Sequence, residues 1–218
     1  MSTQLQDLQV RIRAELAALR ESLSPPVNRR ISVREKLFTL PDGTSHQGPM
    51  QVVILDHRNL NRYYSKPFDA SKLVPPECTA VAKRFEDLSP HNHAEVELPA
   101  ANTCATCAHN AFGSAPNGKG KACRNMVRLA IVPPDAESDA VPMTLEIPPS
   151  ALKNWNQLVN DLEANGLLPI QVVTLIDFDQ SKAYPCPTFK VRRSHDELQK
   201  FWVIRERATA LLDQSASA

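Results

Sequence analysis

The feature that most restricts how this chain can fold is residues 65 to 122, a run with little apolar periodicity, rich in Pro, Asn, Ser and Ala. With Cys123 at its far edge it holds four of the five cysteines. Such a stretch cannot offset the entropy of its own ordering by burying side chains, so something other than a hydrophobic core must organise it. Cys78, Cys104, Cys107 and Cys123 are separated by 25, 2 and 15 residues. Two residues between thiols let both sulfurs face one ion, and two more thiolates complete a tetrahedron, which suits structural Zn²⁺. These four cysteines are therefore the expected zinc ligands. The alternative is that Cys78 or Cys123 is a small buried hydrophobe, with His91, His93 or His109 as substitute ligand. Cys186, between two prolines, reads as a buried thiol.

Five is an odd number of cysteines, which disfavours a disulfide framework. The first ten residues, MSTQLQDLQV, lack the apolar centre of a signal peptide. No apolar run approaches the roughly 20 residues of a membrane span. The expectation is a soluble cytoplasmic chain, with no membrane partner and with reduced thiols. A length of 218 residues with 42% hydrophobic content allows one domain with a large insertion. A net charge of only +1 means that a polyanion must be held by local basic patches.

The flanks carry regular patterns. Leu5, Leu8, Ile12, Leu16, Leu19 and Leu23 predict a helix over 3–23, ended by Pro25-Pro26, that packs on the core or joins two copies into a homodimer. VREKLFTL and MQVVILDH read as strands around a turn containing Asp42-Gly43, and MVRLAIV, VPMTLEI, IQVVTLIDF and PTFKVRR as further strands. Pro149 or Ser150 opens a helix with Leu152, Trp155, Leu158, Val159 and Leu162 inward, closed at Asn165-Gly166. Ser194 and Glu197 form a capping box for a last helix, with Leu198, Phe201, Trp202, Leu211 and Leu212 inward. The expected class is α+β, mostly β: a five-stranded barrel like the oligonucleotide-binding (OB) fold, with a zinc-binding insertion and helices at both ends. The boundaries follow: a helix in 1–30, the OB-like domain in 31–193 with its insertion at 65–124, and the C-terminal helix in 194–218.

Two other chemistries compete for the cysteine region. His93, Glu95 and Cys104-x2-Cys107 are nearly the set of a zinc deaminase. Only eight residues separate Glu95 from Cys104, too few for the helix remainder and strand that such a site places there, so this is a remote alternative. A redox pair would want a buried strand before Cys104, and ELPAANT is none. The loop after the knuckle, Phe112 to Arg124, resembles a phosphate-binding Walker loop only in part, since Gly120 stands where the Ser or Thr belongs.

That loop nevertheless carries Lys119, Lys121 and Arg124, followed by Arg128, with no acid from 111 to 134. Three of the six glycines fall within it, and glycine lets a backbone approach phosphate closely. Lys190, Arg192 and Arg193 end a strand, with alternation placing Lys190 and Arg192 on one face and Phe189, Val191 and Arg193 on the other. Tyr63 and Tyr64 lie beside Arg58 and Arg62. Rings among cations suit single-stranded nucleic acid, with bases stacked and phosphates neutralised. Tyr63, Tyr64 and Phe112 are the stacking candidates, and Lys119, Lys121, Arg124, Arg128, Lys190 and Arg192 the phosphate contacts. Trp155 and Trp202 are assigned to packing.

Pro75-Pro76-Glu77-Cys78, the phrase from Cys104 through Asn110 and Phe112 to Ser114, and Gly118-Lys119-Gly120-Lys121-Ala122-Cys123-Arg124-Asn125 together resemble a group of bacteriophage single-stranded DNA-binding proteins. Ser150 to Trp155 and Val172 to Ile176 resemble that group as well. The resemblance implies an OB-like core with a cysteine-bound insertion, non-catalytic and sequence-tolerant binding of single-stranded DNA, and work beside replication or recombination proteins. The chain departs from replicative binders in its last residues, Leu-Asp-Gln-Ser-Ala-Ser-Ala, which form no acidic tail. The rival of a different class is a zinc-stabilised protein-interaction module.

Overall fold

β4, Met50–Tyr63, is the spine of the protein. Its alternating apolar residues Val52 and Ile54 face one side and Val53 and Leu55 the other, so both faces need covering. The computed structural model describes residues 29–66, 74–90 and 102–213, together with Ile12 and Glu15, which are helical and exposed. The helix expected over 3–23 and its homodimer contact otherwise lie outside the described residues, as do residues 214–218.

One curled sheet, a half-barrel, organises the rest. Its order is β3 (Ser45–Gln47), β2 (Leu37–Thr39), β1 (Arg30–Arg34), β7 (Met143–Ile147), β6 (Arg124–Val132), β4, β8 (Val172–Phe178) and β9 (Pro187–Ser194), with β5 (Cys78–Ala82) paired to β4. In place of the expected five-stranded OB-like barrel, the described residues form nine strands in this one half-barrel sheet. The curl brings Phe38 of β2 onto Phe178 of β8, with ring centroids 4.4 Å apart. The parallel pairing of β1 with β7 and the antiparallel ladders elsewhere make the sheet mixed.

Two helices cover the two faces. α1, Leu152–Ala164, buries Trp155, Leu158 and Leu162 against Ile31, Val52, Leu129, Leu145 and Ile176 on the inner face. It stops as its sequence implies: Gly166 has φ +66°, and the amides of Gly166 and Leu167 donate to the Glu163 and Leu162 carbonyls. α2, Leu198–Asp213, covers Val53, Leu55, Ala130 and Val173 on the outer face. Its buried stripe is Phe201, Ile204, Ala208 and Leu212. Leu198 and Trp202, expected inward, are exposed, because Ile204 and Ala208 set the helix rotation and turn Trp202 outward beneath the Arg205 guanidinium. The capping box does not form either: Ser194 belongs to β9, and the Glu197 amide donates to His195 Nδ1 instead. No helix among the described residues is long and apolar enough to cross a membrane.

His57, just past the β4 bulge between Ile54 and Asp56, lies 5.7 Å from the Trp155 ring. Burial, then the nearby Lys83 charge, depresses its pKa from 6.5 to about 4. Because the folded value lies below the unfolded one, the contribution of neutral His57 is complete above about 6.5 and is lost as pH falls towards 4. The urea midpoint of the wild type is expected to fall more steeply across that window than that of His57→Asn. Equal slopes would show that the imidazole stays neutral in both states or charges freely in both.

Candidate metal centre and nucleic-acid interface

The cysteine region folds onto the far end of β4. β5 pairs Cys78 with Tyr63 and Ala80 with Asn61, which places the first thiol at the sheet edge. Ala80, Leu88 and Cys104 form the small cluster beneath it. The Cys104 amide donates to the Leu88 carbonyl at 2.9 Å, the Asn110 amide to the Cys107 carbonyl at 2.9 Å, and the Cys123 amide to the His109 carbonyl at 2.8 Å. These bonds bring all four cysteines to one cavity of about 20 Å³, shared with Asn61, Tyr63, His109 and Asn110. That is room for a single ion or water.

The sulfurs surround the cavity without closing on it: among the described residues no group of three or more His, Cys, Asp and Glu side chains is arranged to hold a metal ion. Their chemistry nonetheless fits one. Burial, then mutual repulsion among the cysteines, pushes the Cys78 thiol up to about 11 and the Cys123 thiol up to about 12, and burial raises Cys104 as well. Buried thiols crowded together in this way ionise only around a cation, which expels their protons on binding. Asn61 supplies the independent sign. It is 2% exposed, its Nδ2 has no hydrogen-bond partner, and it lies beside Cys104, where its amide favours the thiolate. A neutral thiol is a weak acceptor, whereas a metal-bound thiolate would satisfy that N–H.

A chain of amides joins this cavity to the basic loop. Asn125 Nδ2 donates to Asn61 Oδ1 at 2.6 Å and to Asn110 Oδ1 at 2.9 Å. Asn110 Nδ2 donates to the Cys104 carbonyl at 2.8 Å, and Lys121 Nζ to Asn110 Oδ1 at 3.3 Å. The loop beyond closes on itself, with the Gly113 amide on the Gly120 carbonyl at 2.6 Å and Ser114 Oγ bridging the His109 carbonyl and the Ala122 amide. Gly113 and Gly120, at φ +91° and +90°, permit the reversal. On it Phe112 stands 84% exposed, with Lys119 and Lys121 also exposed.

The other expected contacts divide. Tyr63 stacks on His109 at 4.0 Å beside the cavity, leaving that histidine close to the thiols. Arg124 and Tyr64 lie together, the guanidinium 5.3 Å from the ring centre. Arg124 is opposite Arg62 in the β4–β6 ladder, so it points to the outer face, away from the knuckle. Arg128 is corrected outright: it is 6% exposed, bonded to Glu146 and to the Leu212 carbonyl, and does not reach a phosphate. Lys190 and Arg192 are exposed on β9, the sheet's edge. A bulge between the Val173 and Thr174 pairings shifts the alternation there, so that Arg193 joins the face of Lys190 and Val191 that of Phe189. Cations along an edge also keep other strands from adding to it. Arg193 is level, through Val173, with Val53; Tyr63 lies ten residues further along β4. At 3.3 Å per residue that is roughly 30 Å, so β9 and the knuckle are separate patches.

His91, His93 and Glu95 lie outside the described residues. Sequence reasoning missed Asn61, Asn110 and Asn125 as site residues. The signals were Asn110, at a fixed step after Cys107, and Asn125, two residues past Cys123, both within the motifs that carry the resemblance. Comparison with protein-family models, curated proteins and solved structures finds no match.

Proposed function

We propose that the chain is a zinc-stabilised, non-catalytic, single-stranded DNA-binding protein whose principal contact is the hairpin 111–122. Cys78, Cys104, Cys107 and Cys123 would hold Zn²⁺, which supplies a structural cross-link. The observation that carries the reading is Phe112, 84% exposed on a hydrogen-bonded loop beside Lys119 and Lys121, with no acid between 102 and 134. A ring held out of the core by a fixed backbone suits base stacking, and the lysines beside it replace phosphate counterions. Lys190 and Arg192, some 30 Å along the sheet by strand spacing, are a second stop for a longer strand. A place beside replication or recombination proteins follows from the resemblance.

Titration of a labelled oligonucleotide at several salt concentrations tests this. Lys119→Glu with Lys121→Glu is expected to weaken binding at least tenfold and to flatten the salt slope by about 1.4, at about 0.7 per lost phosphate contact. Phe112→Ala should weaken it by about 1–3 kcal/mol with the slope unchanged. Absence of wild-type binding at low salt, or indifference to the lysine reversals, would remove the reading. The protein-docking alternative draws on Leu198, Trp202 and Val203, exposed together on α2. It is favoured if Trp202→Ala disrupts a complex while oligonucleotides do not bind.

A further inference from the structure

Two arginine pairs face each other directly across β4 and β6: Arg58 with Arg128, and Arg62 with Arg124. Like charges opposite one another destabilise a sheet, so both need an account. The first pair is covered. Arg58 bonds Asp213 at 2.6 and 3.3 Å, and Arg128 donates to the Leu212 carbonyl at 3.1 Å, at the negative end of the α2 dipole. The second pair lies past the end of α2. Arg62 holds both oxygens of the buried Glu146 at 2.7 Å, and Arg30 reaches the same carboxylate at 2.9 Å with half its side chain in solvent. Arg124 is exposed, rests on Tyr64 and makes no ion pair among the described residues.

We propose that this corner of the outer face is a phosphate subsite, with Arg124 meeting the anion and Arg30, on the far side of the Arg62–Glu146 pair, meeting a neighbouring phosphate. A guanidinium offers planar paired donors to phosphate oxygens, and an arginine resting on a ring is already held in place for that contact. Tyr64 beside it suits a nucleotide rather than a bare ion. The source of phosphate that fits is the strand bound at the knuckle, passing around the ends of β4 and β6 from one face of the sheet to the other. This last step rests on the nucleic-acid reading; the anion chemistry of the corner does not.

The test compares wild type, Arg124→Gln and Arg30→Gln/Arg124→Gln in two titrations, one with inorganic phosphate followed by amide NMR shifts, the other with a labelled oligonucleotide across salt. Both substitutions keep polar side chains, and melting curves check the fold; Arg124→Gln alone serves if the double variant is destabilised. The expected result is loss of the phosphate-induced shifts near Arg124 and Tyr64. With it should come about tenfold weaker oligonucleotide binding, the salt slope falling by about 0.7 for each arginine removed. Loss of phosphate shifts with unchanged oligonucleotide binding supports the subsite and assigns it to free phosphate. A wild type that binds phosphate there but no oligonucleotide keeps the subsite and ends the DNA reading. Unchanged shifts and unchanged oligonucleotide affinity in the double variant overturn the inference while leaving the knuckle reading intact.

Discussion

Cys104→Ser is expected to abolish zinc retention, to open residues 102–123 to rapid hydrogen exchange, and to weaken oligonucleotide binding at least tenfold, while the sheet stays protected. The reason lies in how little holds that region without a metal. Its core is Ala80, Leu88 and Cys104, with Ala82 half-buried against them. Ordering backbone costs about 1–2 kcal/mol per residue, and one leucine, two alanines and a thiol do not offset that across the knuckle and its hairpin. A structural zinc contributes about 10–16 kcal/mol to folding in small zinc domains at neutral pH, which is the scale required. The nine-stranded sheet has its own two cores and does not need the ion. Loss of the metal should therefore be local, with exchange in β4 and β6 unchanged. The expected effect on oligonucleotide binding runs through Asn110, which ties the Cys104 carbonyl to Lys121. Metal analysis, exchange and titration on the same samples make the check. Protein that contains no zinc when expressed with it, or a serine variant that keeps full protection of 102–123, would overturn the cross-link.

The convergence of the four cysteines on one cavity was legible, because a two-residue spacing in an otherwise coreless stretch has few uses. β6, β7, β8 and α1 were legible for the ordinary reason that Val127–Val132, Leu145–Ile147 and Trp155–Leu162 show the periods of buried strands and of an amphipathic helix. The second half of β4 was not. His57-Arg-Asn-Leu-Asn-Arg-Tyr63 reads as polar, yet Arg58, Asn61 and Arg62 are buried there. Their partners, Asp213, Asn125 and Glu146, lie more than 60 residues away in sequence and leave no local trace. The β1–β2 hairpin escaped for another reason. Glu35 and Lys36 both take positive φ, at 49° and 60°, without the Asn or Gly that ordinarily signals such a turn, so VREKLFTL read as one strand. The same long-range pairing explains Arg128: a cation at the end of a basic run looks exposed until its carboxylate is found on the neighbouring strand.

That carboxylate is the site of the second large effect. Glu146→Gln is expected to destabilise the protein by about 3–5 kcal/mol, the usual result of breaking a buried ion pair from one side. For a chain of this size that is about 6–20 °C in melting temperature. Glu146 is 8% exposed and answers Arg62 at 2.7 Å, Arg128 at 3.2 Å and Arg30 at 2.9 Å. A glutamine would turn an amide N–H₂ towards guanidinium groups that are themselves donors only. Burial raises the Glu146 pKa, and Arg30, Arg62 and Arg128 more than reverse this, so it lies below 4.5. The sign follows: its contribution is present above about 4.5 and is lost as the pH falls through the lower folded value, so the glutamine variant should lack that part of the acid limb. Denaturant midpoints against pH for both proteins provide the check, and a variant within about 1 kcal/mol of wild type would show that the cluster is solvated. Replacing Arg62, Arg128 and Glu146 together by apolar residues separates the two roles of the cluster. Buried ion networks exchanged for hydrophobic packing commonly lose no stability. If the triple variant regains the wild-type midpoint yet no longer gives phosphate shifts at Arg124, the charges are there to hold the floor of an anion site and not to hold the sheet.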